Sequence, residues 1–154
     1  MKLYLVQHGN AVVKEVDADR PLSQKGRQDV ENLADFIRPL GLYVDCLWHS
    51  GKTRAAQTTE ILAEVVKTNK GPIQHDGLSP TDDVSKLRDQ LTDRQQDIMI
   101  VGHLPFLSKL TSLLITGSES ASTVKFQQGC IVCIECCDEN QWQLAWMITP
   151  QLLG

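Results

Sequence analysis

The sequence predicts an α/β fold: a three-layer sandwich with a mostly parallel central sheet, helices on both faces and a C-terminal hairpin. Apolar runs at Leu3–Val6 and Ile98–Val101 have the unbroken pattern of strands buried on both faces of a sheet. Segments with helical spacing of apolar residues alternate with such runs. Residues 123–149 have no helical period and contain two strand-like segments around a turn-rich connection, which predicts the hairpin.

The first strand is expected to end at Gln7-His8-Gly9, and a helix follows it. Apolar residues at helical spacing predict this helix from about Gln24 to about Arg38, with Ser23 as its N-cap. Gly26 lies in its first turns, where a glycine costs roughly 1 kcal/mol relative to alanine. We therefore expect another part of the backbone to approach Gly26 closely.

A second strand, a second helix and a short third strand come next. Val44–Trp48 has the pattern of a strand, and Ser50 is expected to cap a helix from Gly51 to about Lys67. Ile73–His75 is long enough only for a short strand. Arg54 falls near the first turn of the second helix, where a cation opposes the helix dipole. That place suits a role in holding an anion together with the free backbone N–H groups.

The second half of the chain predicts two more helices and three more strands. In order they are a helix from Asp82 or Asp83 to Thr92, a strand over Ile98–Val101, a helix from Leu104-Pro105 to about Ile115, and strands over Cys130–Glu135 and Trp142–Ile148. His103 follows the strand over Ile98–Val101, as His8 follows the first strand, so each histidine lies at the carboxyl end of a strand. Ligands of open α/β sheets bind at that edge.

Length and composition limit the classes of function. The chain has 154 residues, 42% of them hydrophobic and 22% charged, which predicts one globular domain over residues 1–154. Its net charge of −4 argues against nucleic acid or an anionic membrane as partner. No apolar stretch approaches the ~20 residues of a membrane span, and Lys2 runs directly into a strand rather than a leader segment. We therefore expect a cytoplasmic protein.

Four of the five cysteines lie within eight residues, Cys130 to Cys137. Because neighbouring side chains on a strand point to opposite faces, Cys130 and Cys136 should share one face and Cys133 and Cys137 the other. A tetrahedral metal site would need the four thiols to converge. We therefore expect buried, reduced thiols and no metal, which fits a reducing compartment.

The side chains at the carboxyl ends of strands and in the following turns suggest a site for a phosphoryl group. They are His8, Arg20, Arg54 and His103. Arginine presents a planar fork that matches phosphate oxygens, and a neutral imidazole is a competent nucleophile. The sequence has no Gly-x-Ser-x-Gly, no His-x-x-x-His and no Gly-x-x-x-x-Gly-Lys motif.

At these residues the sequence resembles the histidine phosphatase superfamily, the phosphoglycerate mutase-like proteins, and in particular its small branch resembling the phosphohistidine phosphatase SixA. Four segments carry the resemblance: Leu3-Tyr-Leu-Val-Gln-His-Gly9, Arg20-Pro-Leu-Ser-Gln-Lys-Gly26, His49-Ser-Gly-Lys-Thr-Arg-Ala-Ala-Gln-Thr58 and Val101-Gly-His-Leu-Pro105. Each is a weak signal alone, but four in this order in a chain of this length are together specific.

The resemblance implies a phosphoglycerate mutase-like fold and a metal-independent hydrolase of phosphoric monoesters or phosphoramidates. His8 would be the phosphoryl acceptor, and Arg54 and His103 would bind the phosphoryl group. The same pocket would be lined by Gln7, Gly9, Asn10 and Arg20. No metal or organic cofactor is implied. The expected substrate is a phosphorylated protein of the histidine phosphotransfer type in a signalling pathway, or a small phosphorylated molecule.

One position departs from the family pattern, because Gln7 stands where the family has arginine. A neutral donor in place of a charged one would cost ~1–3 kcal/mol, or about 5- to 150-fold in rate if felt only in the transition state. The substitution indicates either a weakened enzyme or a non-catalytic module that binds phosphate or a phosphoprotein. Lys52 is a candidate to restore part of the charge, although a solvated lysine is the commoner case.

Acidic residues are scarce near the predicted site. Asp82 and Asp83 are the candidates for a proton donor to the leaving group, although helix capping is the simpler role for either. Phosphohistidine already carries a good leaving group and has less need of an acid. The scarcity of acids therefore favours phosphohistidine as the substrate.

Overall fold

A computed structural model describes residues 1–154 and shows six strands and four α-helices in the predicted order. They are β1 (Lys2–Gln7), α1 (Gln24–Ile37), β2 (Cys46–His49), α2 (Thr53–Ala63), β3 (Pro72–Gln74), α3 (Val84–Thr92), β4 (Ile98–Gly102), α4 (Phe106–Thr116), β5 (Ile131–Cys136) and β6 (Trp142–Ile148). Ser23 caps α1 as predicted, since its hydroxyl accepts a hydrogen bond from the N–H of Gly26. No helix is both long and apolar enough to cross a membrane.

The six strands form one mixed sheet in the order β3-β2-β4-β1-β5-β6. Strands β3, β2, β4 and β1 are parallel to one another, whereas β5 is antiparallel to β1 and pairs with β6 as the predicted hairpin. The parallel arrangement brings the carboxyl ends of β2, β4 and β1 to one edge, side by side. This edge is where the predicted site residues follow their strands.

Helices cover both faces of the sheet and produce two hydrophobic cores. Residues of α1 and α2 pack on one face, and residues of α3 and α4 pack on the other. Strand β1 contributes to both cores by alternation: Leu3 and Leu5 face α3 and α4, while Tyr4 and Val6 face α1 and α2. The three-layer prediction is therefore confirmed.

The cysteines follow the predicted alternation. Cys130 is buried in the core beneath α3 and α4 and Cys136 packs against that core, whereas Cys133 is buried in the core beneath α1 and α2. Cys137 is exposed, so the prediction of burial is wrong for this thiol. It lies beyond the end of β5, where the chain turns away from the sheet.

The start of α2 differs from the prediction. Gly51 adopts φ +89°, a left-handed conformation that cannot belong to a right-handed helix, and α2 begins only at Thr53. Lys52 is therefore the N-cap residue, through its backbone alone, and Ser50 does not cap the helix. The helix also ends at Ala63 rather than Lys67, because Lys67 lies in an extended segment that bridges to Tyr43.

The close approach expected at Gly26 is present and ties α1 to the segment after β1. A Cβ atom added to Gly26 would lie 2.7 Å from the backbone nitrogen of Asn10. The N–H of Ser23 donates to the carbonyl oxygen of Asn10 at 2.9 Å and holds the two segments together.

We expect Gly26→Ala to lower the free energy of unfolding by about 3 kcal/mol or more, because backbone atoms of Asn10 occupy the space that the methyl group needs. Gly41→Ala is the control. Gly41 has φ +58° but no atom within 4 Å of an added Cβ, so only the conformational cost of about 1 kcal/mol should appear. Denaturant unfolding measures both, and equal losses would contradict the steric explanation.

Candidate active site

The two predicted histidines meet at the carboxyl edge of the sheet. In the parallel pairing of β1 with β4, Gln7 lies opposite Gly102. The residues that follow these two are His8 and His103. The ring centroids of His8 and His103 are 5.0 Å apart, with a tilt of 50° between the planes. The N–H of His8 also donates to the carbonyl oxygen of Gly102 at 3.1 Å, which extends the ladder into the site.

The His8 ring is held as a neutral imidazole with Nε2 unprotonated. Its Nδ1 lies 2.7 Å from the carbonyl oxygen of Gly9, which can only accept, so Nδ1 carries the proton. Arg54 donates from Nε to the Nε2 lone pair at 3.3 Å. The ring is only 6% exposed, and this burial, with the positive charges of Arg54 and Arg20, lowers its pKa to about 4.

Helix α2 supplies the arginine and fixes the backbone next to His8. Arg54 is its second residue, and Thr58 lies one turn later. The Thr58 hydroxyl donates to the Arg54 carbonyl at 2.8 Å and accepts from the N–H of Gly9 at 3.1 Å. Thr58 is fully buried, so it joins the helix to the segment after His8 without solvent competition.

Arg20 acts electrostatically on the two histidines, and Asn10 lies two residues after His8. Arg20, at φ +48°, donates from Nε to the carbonyl oxygen of Val12 at 3.2 Å, and its charge lowers the pKa of both histidines and of Arg54. The Asn10 side chain accepts from the Ser23 hydroxyl at 2.6 Å and donates to Gln128 at 2.9 Å. The Asn10 amide therefore already has protein partners on both of its polar ends.

His103 lies deeper than His8 and has an unexpected partner. Its ring is 1% exposed, and Nε2 lies 2.6 Å from the hydroxyl oxygen of Ser50, the residue that follows β2. Burial is the largest cause of a pKa lowered to about 3, and the charges of His8, Arg54, Lys52 and Arg20 act in the same direction.

Two polar atoms at the ends of β1 and β4 are buried without any hydrogen-bond partner. They are Nδ1 of His103 and Oε1 of Gln7, whose side chain is 7% exposed. Buried polar atoms in proteins are bonded in the large majority of cases. Nδ1 of His103, on the ring next to His8, is therefore a position where a polar atom of a ligand can bind, whereas Oε1 of Gln7 is an acceptor and needs a donor.

The two predicted proton donors have structural roles. Asp82 accepts from the N–H of Ser79 at 2.8 Å, and Asp83 caps α3 by accepting from the N–H of Ser85 at 2.9 Å. Neither forms a hydrogen bond or salt bridge with the residues around His8. Their role as acids stays a prediction.

The two histidines are not exposed in a cavity of the protein. None of the four cavities of the protein is lined by His8 or His103, and the largest lies at the opposite edge of the sheet, next to Met1 and the β5–β6 connection. The Arg54 side chain contacts the nitrogen of His8 that would attack. The Arg54–His8 hydrogen bond therefore occupies the Nε2 lone pair of His8.

The chain is similar in sequence to a known protein family. Residues 3–80 match the family model described as histidine phosphatase superfamily (branch 1). The chain is 30% identical over 124 residues to an uncharacterized protein of Picosynechococcus sp. strain PCC 7002, covering 76% of this chain and 74% of that protein.

Solved structures share the fold over the whole chain. The protein histidine phosphatase SixA complexed with tungstate aligns with a TM-score of 0.86 and 19% identity over 100% of both chains. The alpha-ribazole phosphatase of Shigella flexneri aligns with a TM-score of 0.74 and 20% identity over 97% of both. These structures show the fold, and the family model, which matches half of the chain, shows that the chain belongs to the histidine phosphatase superfamily, branch 1.

Proposed function

We propose that this protein is a metal-independent phosphatase that removes the phosphoryl group from a phosphohistidine of a signalling or phosphotransfer protein, through a phosphohistidine intermediate on His8. One observation carries the proposal: the Nδ1–H of His8 is bonded to the Gly9 carbonyl, which leaves a neutral ring with an Nε2 lone pair beside the Arg54 guanidinium. A neutral imidazole next to a fixed cation is the arrangement that attack on an anionic phosphoryl group requires.

The proposed reaction has two in-line transfers. Nε2 of His8 attacks phosphorus while the bond to the leaving group breaks and the leaving group keeps the electron pair. Arg54 turns from the His8 lone pair to the phosphoryl oxygens, and Arg20 adds its charge nearby. The Gly9 carbonyl stabilises the positive charge that develops on the His8 ring. Water then attacks the phosphohistidine, phosphate leaves, and His8 returns to its neutral form.

The surroundings of the leaving group support a phosphohistidine substrate. Asp82 and Asp83 accept hydrogen bonds from nearby backbone N–H groups and form none with His8, Arg54 or His103. An imidazole leaving group needs less protonation than an alkoxide does. The likeness in fold to the protein histidine phosphatase SixA points in the same direction. A cytoplasmic location belongs to the proposal, and the five free cysteines support it.

A second candidate is a phosphate- or phosphoprotein-binding module without turnover. The observation that favours it is Gln7, which is buried at the end of β1 and supplies no charge where the family has arginine. This candidate requires affinity for inorganic phosphate or vanadate with no release of phosphate from a substrate.

We expect His8→Ala to reduce phosphate release by at least about 10³-fold, because it removes the attacking atom. The substrates are an aryl phosphate and a phosphorylated histidine phosphotransfer domain, and a chelator should leave the wild-type rate unchanged. His75→Ala is the matched control, since His75 stacks on Trp48 with ring centroids 4.0 Å apart and makes no hydrogen bond to the site residues. Release that survives His8→Ala would reject the proposed nucleophile.

We expect Gln7→Arg to raise kcat/KM about 5- to 150-fold, because a charge-assisted hydrogen bond to the phosphoryl group replaces a neutral one. Gln28→Arg adds the same charge on the exposed surface of α1 and should leave the rate unchanged. Calorimetry with inorganic phosphate, run beside the assay, separates the two candidate functions. Phosphate affinity with no turnover in either form would favour the binding module.

We expect the acid limb of kcat/KM to lie near the lowered pKa of His8, about 4, instead of its ordinary 6.5. Only the neutral ring has the attacking lone pair, and a lowered pKa keeps the ring neutral until the pH falls through that value. Activity should therefore persist from pH 7 down to about pH 5, once the second ionisation of the substrate near pH 6 is accounted for. A limb at 6.5 would show that burial does not depress the pKa of His8.

A further inference from the structure

Ser50 lies between two elements of the site and makes contacts that its predicted role as a helix cap does not explain. It follows β2 at the carboxyl edge of the sheet, beside β4, which ends in His103. Its hydroxyl oxygen is 2.6 Å from Nε2 of His103 and accepts from the backbone N–H of Lys52 at 3.3 Å. The left-handed turn at Gly51 takes Ser50 out of the capping position and frees its hydroxyl for this contact.

The contacts of the hydroxyl indicate where its hydrogen lies. The Lys52 N–H can only donate, so Ser50 Oγ is the acceptor in that hydrogen bond. The hydroxyl keeps a second lone pair and its hydrogen, and Nε2 of His103 is the protein atom within reach of that hydrogen, at 2.6 Å. A ring nitrogen that accepts carries no proton. When Ser50 donates to Nε2, the neutral His103 ring carries its proton on Nδ1.

Nδ1 of His103 is the atom that is buried without a partner. A buried N–H without an acceptor is costly in a folded protein, by about 1–3 kcal/mol. The ring that carries it lies 5.0 Å from the ring of the nucleophile, His8. An oxygen of a phosphoryl group bound at His8 would supply the missing acceptor.

We propose that Ser50 is a positioning residue: its hydroxyl fixes the tautomer of His103, so that Nδ1–H is the donor that binds a phosphoryl oxygen. The proposal rests on the proposed function, since it assumes that a phosphoryl group binds beside His8. In this proposal both histidines carry their proton on Nδ1, but each uses a different ring nitrogen toward the phosphoryl group. His8 works through its unprotonated Nε2, and His103 works through its protonated Nδ1.

The groups facing His103 support a ring that stays neutral in the resting protein. His8 lies against it, and the cations that act on it are Arg54, Lys52 and Arg20. All of them disfavour a second proton on the ring. A neutral ring has one N–H, so the choice of nitrogen decides whether a donor is available to the ligand.

The tautomer is measured by NMR of the 15N-labelled imidazole rings near pH 7. We expect His103 of the wild-type protein to carry its proton on Nδ1, and Ser50→Ala to transfer a measurable fraction of the protons to Nε2. Inorganic phosphate should shift the Nδ1–H signal of the wild type. A proton on Nε2 in the wild type, or a tautomer unchanged by Ser50→Ala, would overturn the proposal.

Kinetics with an aryl phosphate give the second readout. We expect Ser50→Ala to lower kcat/KM about tenfold, the factor that corresponds to one hydrogen bond, and Ser50→Thr to keep it within about threefold because the hydroxyl is retained. Thr53→Ala, at the first residue of α2 and without a side-chain hydrogen bond to the site residues, is the control and should stay within about twofold. Full activity of Ser50→Ala would contradict the positioning role.

The two readouts separate this proposal from the proposed function. A wild-type protein with the Nδ1–H tautomer, a phosphate-induced shift and no turnover would reject the phosphatase and retain the role of Ser50. Turnover that depends on His8, together with an Nε2–H tautomer, would retain the phosphatase and reject the role of Ser50. The tautomer of His103 is measured on the wild-type protein. The proposal can therefore be tested even if Ser50→Ala fails to fold.

Discussion

The parallel pairing of β1 with β4 is the constraint on which the site depends. It sets Gln7 opposite Gly102 and so places two histidines that are distant in sequence at one edge of the sheet. A shift of this register by one residue would move every side chain of β1 to the other face, and the alternating cores on the two faces oppose such a shift. The packing that stabilises the fold therefore also maintains the geometry of the site.

Burial controls the chemistry of the two imidazoles. A charged ring in a dry site beside two arginines is unfavourable, so both histidines remain neutral at physiological pH. The same burial leaves Nδ1 of His103 and Oε1 of Gln7 without partners, which costs stability in the ligand-free protein. A ligand oxygen that accepts from His103 would remove that part of the cost, whereas Oε1 of Gln7 needs a donor.

The hydrogen bonds around the site come from backbone and from small hydroxyl side chains. Gly9 fixes the tautomer of His8, Thr58 holds the backbone of Gly9, and Ser50 contacts His103. These groups carry no charge, so they orient the rings without changing the electrostatic balance set by Arg54 and Arg20. Gln7 is a further neutral residue at this edge, which makes the number of fixed cations lower than the family pattern implies.

The sequence by itself determined the elements and indicated the candidate site residues. Strands buried on both faces, helices with one apolar stripe, the cap at Ser23 and the close approach at Gly26 follow from local patterns, because side-chain periodicity and backbone freedom are properties of short segments. The four motifs identified His8, Arg20, Arg54 and His103, whose side chains or charges meet at one edge of the sheet.

Only the tertiary structure decided how these residues are connected. It showed Ser50 bonded to His103, Asp82 and Asp83 bonded to nearby backbone N–H groups, and Arg54 bonded to His8. Ser50 and His103 are 53 positions apart, and their contact depends on the pairing of β2 with β4 and on the left-handed turn at Gly51. Contacts of this kind depend on strand order and register, which no local pattern of residues specifies.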